Sequence, residues 1–167
     1  MENNKTQFVK DAANKQIKVT RYFDASLELV WRTWTESELL EQWWAPHPFK
    51  AITKHMDFRE GGYWLYYMLG PDGSKFWVKA DYCTIEVMKR FDADDSFCDE
   101  EGNRNYELPG MRWNNVFTLN GTGTNVNVSI TFTSEEDLEK IISMGFKEGF
   151  AAAHNNLDEL LKNMNHG

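Results

Sequence analysis

His154 is the residue whose sequence neighbours come nearest to chemistry. It stands four past Phe150 and three before Leu157, on or beside an apolar helical stripe. A neutral imidazole there can bond a ligand hydroxyl or the phenols Tyr66 or Tyr82, and it can act as a general base. No carboxylate is placed to orient it, and no Ser or Cys is placed to be activated by it. A satisfied, partly buried histidine is therefore preferred, ligand contact ranks second, and no catalytic residue is assigned. His47 and His55 have neither helical nor strand spacing for a metal pair, and Cys83 and Cys98 lie outside any Cys-x-x-Cys or His-rich setting. No metal and no cofactor are expected. Asp57 and Arg59 flank Phe58 and share a strand face. Their expected role is an ion pair beside the Gly61-Gly62 bulge, and two adjacent glycines are not a phosphate-binding fingerprint.

The element that must position His154 is the last stretch, Ser134 to about Asn163. Leu138, Ile141, Ile142, Phe146, Phe150, Leu157, Leu160 and Leu161 recur at steps of three and four, the pattern of a one-sided helix. Ser134 followed by three carboxylates marks its start. Such a rod would run roughly 40 Å and needs a broad partner surface. Gly145, Gly149 and Ala151 to Ala153 slim its middle, leaving close backbone approach, room for a ligand, or packing against Trp31 or Trp34 as open readings.

Before the rod the period is mostly two. Ile17 to Phe23 alternates as a first strand. Asp24 or Ser26 then caps a short helix carrying Leu29, Val30, Thr33 and Trp34, and Glu36 to Trp43 forms a second. Strands follow at Ile52 to Phe58 and Tyr63 to Leu69, and Lys75 to about Phe91 is strand-rich with a break near Glu86 to Lys89, with Pro71-Asp72-Gly73 as a hairpin turn. Residues 92–110 read as an acidic loop with a strand near Ser96-Phe97. Arg112 to Leu119 and Asn125 to Phe132 pair through a Gly-rich turn. Residues 1–15 read as a flexible tail and 16–167 as one domain. The order implies an α+β fold, a curved antiparallel sheet of about six or seven strands wrapped around a long C-terminal helix.

Composition narrows the function classes. A net charge of −8 argues against nucleic acid and anionic membranes as partners. No apolar run is long enough to span a bilayer, and Met1 to Gln16 lacks a leader's apolar core. The two cysteines fit a reduced, cytoplasmic protein. The bulk is spent on rings, with 7 Trp, 6 Tyr and 11 Phe, many carrying a polar handle.

Several motifs together resemble one family. They are Arg21-Tyr22-Phe23-Asp24-Ala25, Val30-Trp31 with Trp34, Trp43-Trp44-Ala45-Pro46, Asp57-Phe58-Arg59-Glu60-Gly61-Gly62, Pro71-Asp72-Gly73 and Met144-Gly145-Phe146-Lys147-Glu148-Gly149-Phe150. The chain resembles the AHSA1 family, single-domain homologues of the C-terminal domain of the activator of heat-shock-protein-90 ATPase. These have the helix-grip fold of the START-like, Bet v 1-like SRPBCC superfamily. It departs from the family in lacking a proline near Val87-Met88, in carrying His154 where Leu is common, and in carrying Phe150 where Trp is frequent.

The resemblance implies that Trp64, Tyr66 and Met68 face the helix, and by register Phe76, Val78, Ala80 and Tyr82, with Trp113 and Phe117 from the later hairpin. Trp43 and Trp44 would sit at one mouth, one as core and one as lid, or both as packing. Phe146, Phe150 and His154 would close the space from the helix. A gap with apolar walls and a few hydroxyls is a small-molecule pocket, whereas rings that interlock leave only a filled core. The expected function is binding of a small hydrophobic or aromatic ligand in that cavity. The alternative is a co-chaperone-like partner of heat-shock protein 90, and the third reading is a cyclase- or hydrolase-type enzyme of the superfamily, which lacks an identifiable acid–base pair here.

Overall fold

The computed structural model describes residues 5–166. Eight strands form one open antiparallel sheet in the order β1-β2-β8-β7-β6-β5-β4-β3. They are β1 (Gln7–Asp11), β2 (Gln16–Phe23), β3 (Lys50–Met56), β4 (Tyr63–Leu69), β5 (Lys75–Glu86), β6 (Arg90–Phe97), β7 (Met111–Asn120) and β8 (Gly123–Thr131). Helices α1 (Leu27–Thr35) and α2 (Ser37–Leu40) follow β2, and α3 (Glu135–Ser143) and α4 (Phe146–His166) end the chain. This is the expected α+β helix-grip arrangement, with one strand more than the upper expectation.

The extra strand lies in the stretch read as a tail. Asp11 accepts hydrogen bonds from the Asn14 backbone N–H and, at 2.8 Å, from its side-chain amide, and Lys15 takes a left-handed conformation. The chain doubles back, and β1 pairs with β2 with Phe8 opposite Val19. Residues 1–4 lie outside the described residues.

A second difference concerns the acidic stretch. Strand β6 runs through Phe97, and only residues 98–110 are loop. Asp92 and Asp94 point outward, where Arg112 bonds them at 2.8 and 3.2 Å. Phe91 and Ala93 share the buried face with Asp95 between them and Phe97. A carboxylate on the wet side of a strand does not oppose pairing, so the charge run hid an alternation of period two.

The terminal rod is two helices rather than one. Ser134 caps α3 through a bond from Asp137 N–H to its Oγ at 3.1 Å. The turn ends at Gly145, whose φ of +90° is left-handed backbone suited to glycine. No atom lies near its missing Cβ, so conformation rather than close approach requires glycine there. Gly62 is the opposite case, since a Cβ would lie 2.2 Å from the Asp57 carbonyl oxygen. At the first helix, Ser26 rather than Asp24 supplies the cap, accepting from Leu29 N–H at 3.2 Å.

The core lies between the sheet's inner face and the helices. Strand β2 gives Ile17, Val19 and Phe23, α1 gives Val30, Trp31 and Trp34, and the terminal helices give Leu138, Ile141, Phe150, Leu157 and Leu161. Trp31 meets Phe58, Phe91 and Phe117 edge-on at 5.1–6.0 Å, so this half of the interior is filled by interlocked rings.

Candidate functional site

The other half is not filled. A cleft of about 260 Å³ lies between the inner face of β4–β7 and the junction of α3 with α4. Tyr66, Met68, Val78, Phe97, Met111 and Trp113 form its sheet side. Ile141, Met144, Phe146 and Phe150 form its helix side, with Gly145 and Gly149 between them. Trp44 and Pro46 close one flank. The junction itself makes the opening: the chain leaves α3 at Met144-Gly145, and no side chain at 145 or 149 reaches down to the sheet.

The lining rings are held in place by specific contacts. Trp44 Nε1 donates to the Tyr66 hydroxyl at 2.8 Å, and Tyr66 stacks on Trp64 at 3.8 Å. Trp64 Nε1 in turn donates to Thr53 Oγ1 at 3.0 Å. Trp113 meets Phe150 edge-on at 5.3 Å. Burial pushes the Tyr66 phenol well above its ordinary pKa, with the Asp95 carboxyl adding to the shift, so its hydroxyl keeps its proton.

The sequence-derived residues fall into four groups. Trp44, Tyr66, Met68, Val78, Trp113, Phe146 and Phe150 line the cleft. Trp64 and Tyr82 instead border a separate inner void of about 30 Å³ beneath Trp44 and Trp113, large enough for a single water. Trp43 and His154 are core. Phe76 departs from the expectation: its register opposite Met68 gives the inner face, yet it is 51 % exposed and does not line the cleft. It stands at the start of β5, where its ring meets Phe49 edge-on at 6.2 Å.

The two tryptophans of the Trp-Trp pair sit in different surroundings. Trp43 is 1 % exposed, donates from Nε1 to the Thr33 carbonyl at 2.8 Å, and packs on Trp34 at 4.9 Å. Trp44 is half-buried at the cleft.

His154 lies behind Phe150, their ring centroids 4.1 Å apart, and does not reach the cleft. Its Nδ1 hydrogen-bonds Thr6 Oγ1 at 2.8 Å, while Nε2 has no partner among the described residues. Arg21 donates to the same Thr6 hydroxyl and to Asn155 Oδ1, both at 3.0 Å, and approaches Asp158 at 3.5 Å. Burial first, then the Arg21 charge, lowers the imidazole pKa to about 3. The ring is a neutral core group that ties the residue just before β1 to α4.

Asp95 is the polar residue that sequence reasoning missed. It lines both the cleft and the inner void. The signal was its parity with Phe91, Ala93 and Phe97, masked by the surrounding aspartates. Met111, Ile141 and Met144 were missed as well, because flexible or aliphatic residues in helix and strand carry no mark of a cavity. Among the described residues no group of three His, Cys, Asp or Glu is placed to hold a metal, and both cysteines are free.

Gly149 offers an accessible test of the helix side. An added Cβ there meets only Pro46 Cγ, at 3.7 Å, an ordinary contact. Gly149→Ala is expected to raise stability by about 1 kcal/mol through helix propensity alone. Urea unfolding of the two proteins measures this, and a loss of stability would show a tighter contact than the geometry allows.

Comparison with known proteins agrees with this architecture. Residues 24–162 match the family described as activator of Hsp90 ATPase homolog 1-like protein. A solution structure from Arthrobacter aurescens is 32% identical with a TM-score of 0.89, covering 94% of this chain and 91% of that one. A crystal structure from Mycobacterium smegmatis is 30% identical with a TM-score of 0.87, covering 94% and 96%. The AHSA1 protein of Silicibacter pomeroyi shares the fold at 14% identity, with a TM-score of 0.72 and coverage of 89% and 99%. No curated protein matches. No helix among the described residues is long and apolar enough to cross a membrane. On the strength of the match across residues 24–162 and the two relatives at 30% identity or above, this chain belongs to the activator of Hsp90 ATPase homolog 1-like family.

Proposed function

We propose that the protein binds a small, largely apolar aromatic molecule in the cleft between the sheet and the α3–α4 junction. The observation that carries this reading is the ring-lined cleft of about 260 Å³ that opens between the sheet and the α3–α4 junction. What supports the reading is the lining rather than the size: aromatic and aliphatic side chains converge on the cleft with a few polar groups among them, the character of a small-molecule site. A docking role toward the chaperone named in the family description has less support. The exposed large apolar residues Val9, Phe76, Val87, Tyr106, Leu119 and Met144 come from six separate stretches of chain.

Indole serves as the test probe, because it matches an aromatic lining and carries no charge. Bound at about a hundredfold excess over its Kd, it is expected to stabilise the fold by about 2.7 kcal/mol. It should also change the fluorescence of the cleft tryptophans Trp44 and Trp113. Absence of any melting shift or fluorescence change at millimolar indole would contradict the reading.

A further inference from the structure

The cleft is not uniformly apolar, and its one acidic wall residue is unpartnered. Among the described residues Asp95 makes no hydrogen bond and no ion pair. Its neighbours share the shortage: Trp113 Nε1 and Asn115 Oδ1 are buried without partners. A carboxyl left without a partner in an apolar wall costs stability, and a group kept in that state is a candidate for binding or chemistry. Burial holds the Asp95 carboxyl well above the usual carboxylate range, and Asp94 and Asp81 push it the same way.

The surrounding charge decides what this group would take. Asp81 and Asp94 stand beside it on the sheet, and the phenols Tyr66 and Tyr82 face it. The nearby cations are engaged elsewhere, Arg112 with Asp92 and Asp94 and Lys79 with Asp81. The helix residues across the cleft, Ile141, Met144, Phe146 and Phe150, are uncharged. The field at Asp95 is therefore negative and disfavours an anion. A cation entering it would restore the carboxylate, gain a charge-assisted hydrogen bond, and lie among ring faces that attract positive charge.

Resting on the binding reading above, we infer that the cleft selects molecules that carry a protonated amine on an aromatic body. The ammonium sits on the Asp95 carboxylate, and the ring lies against Met68, Met111 and Phe150. The lost hydration of the ammonium is replaced by Asp95 and by the ring faces of Trp113 and Tyr66. A neutral isostere keeps the apolar contacts and lacks the charge pair. An anionic one meets the negative field.

The test measures Kd for indole, tryptamine, tryptophol and indole-3-acetate on the full chain by calorimetry. Tryptamine is expected to bind about tenfold or more tighter than tryptophol, with indole-3-acetate weakest. In Asp95→Asn the tryptamine-to-tryptophol ratio is expected to fall to within about twofold. Glu136→Gln, the same change of net charge on the exposed first turn of α3, keeps the full ratio. A ratio near one in the wild type, or a ratio that survives Asp95→Asn, overturns the inference while leaving indole binding intact. Failure of all four probes, indole included, removes the binding reading itself. Should Asp95→Asn not fold, carbon-13 titration of the wild-type Asp95 carboxyl decides. Saturating tryptamine lowers its pKa, and an unmoved titration overturns the assignment.

Discussion

Trp43→Ala is expected to cost about 3–5 kcal/mol of stability, the range for emptying a buried aromatic site. The indole is 1 % exposed and wedged between Trp34 and His154, so the surroundings cannot collapse without moving α1 against α4. Its loss also removes the donor to the Thr33 carbonyl. Against a total stability on the order of 5–15 kcal/mol, that loss is a large share. Trp44→Ala is expected to cost distinctly less. That ring is half-buried, one side of it already faces the cleft, and its removal enlarges an existing opening rather than creating a new void. Urea midpoints of the two variants against wild type give the comparison. Equal costs would mean that Trp44 is enclosed like Trp43 and that the cleft is shut.

The second large effect is a loss of stability in mild acid that traces to His154. An ordinary histidine has a pKa of 6.5, and in the fold the imidazole is held down to about 3. As pH falls below 6.5 the unfolded chain takes up a proton that the folded chain refuses. Folding stability therefore drops from pH 6.5 toward 3 and levels off below. The slope approaches about 1.4 kcal/mol per pH unit between the two values, reaching several kcal/mol in total. The groups facing the ring make protonation in place unfavourable. Arg21 brings a like charge, and Phe23, Trp34 and Phe150 bring no acceptor, while Asp158 is paired with Arg21.

Other groups titrate differently. Asp11, Asp72, Asp92 and Asp99, whose pKa values are lowered, lose their contributions only below about pH 4. Asp95, raised by burial, works in the opposite direction, since its contribution is lost as pH rises. The His154 effect is isolated by comparing wild type with His154→Leu between pH 7 and 4.5. The variant is expected to gain on the wild type steadily as pH falls. A constant difference across that range would show that the imidazole protonates inside the fold.

The family and the helix-grip order were legible because they rest on local signals. Pro71-Asp72-Gly73 is a turn whatever surrounds it, and Tyr63 to Leu69 alternates whatever packs on it. The break at Gly145 was hidden because Ile141, Ile142, Phe146 and Phe150 keep helical spacing across it. The left-handed turn restarts a helix on the same face. Strand β1 was hidden because an edge strand facing water on one side needs only Phe8 to anchor it. For the site, parity gave the correct face for Met68 and Val78 and equally for Phe76, but parity carries no information on how far along a strand the helices reach. His154 was placed on the buried stripe correctly, yet its distance from the cleft depends on Phe150 standing in front of it. Asp95 was passed over because a run of aspartates reads as solvated chain, and only the strand pairing reveals that one of them points the other way.

The central claim is that the space between the sheet and the α3–α4 junction accepts a ligand. Diffraction from crystals soaked in 5-bromoindole, recorded at the bromine absorption edge, tests it most directly. The account predicts an anomalous peak inside the cleft, flanked by Met68 and Met111 on the sheet side and Phe150 on the helix side. No peak there, together with Phe146 and Phe150 packed down on Tyr66 and Val78 so that no opening remains, would contradict it.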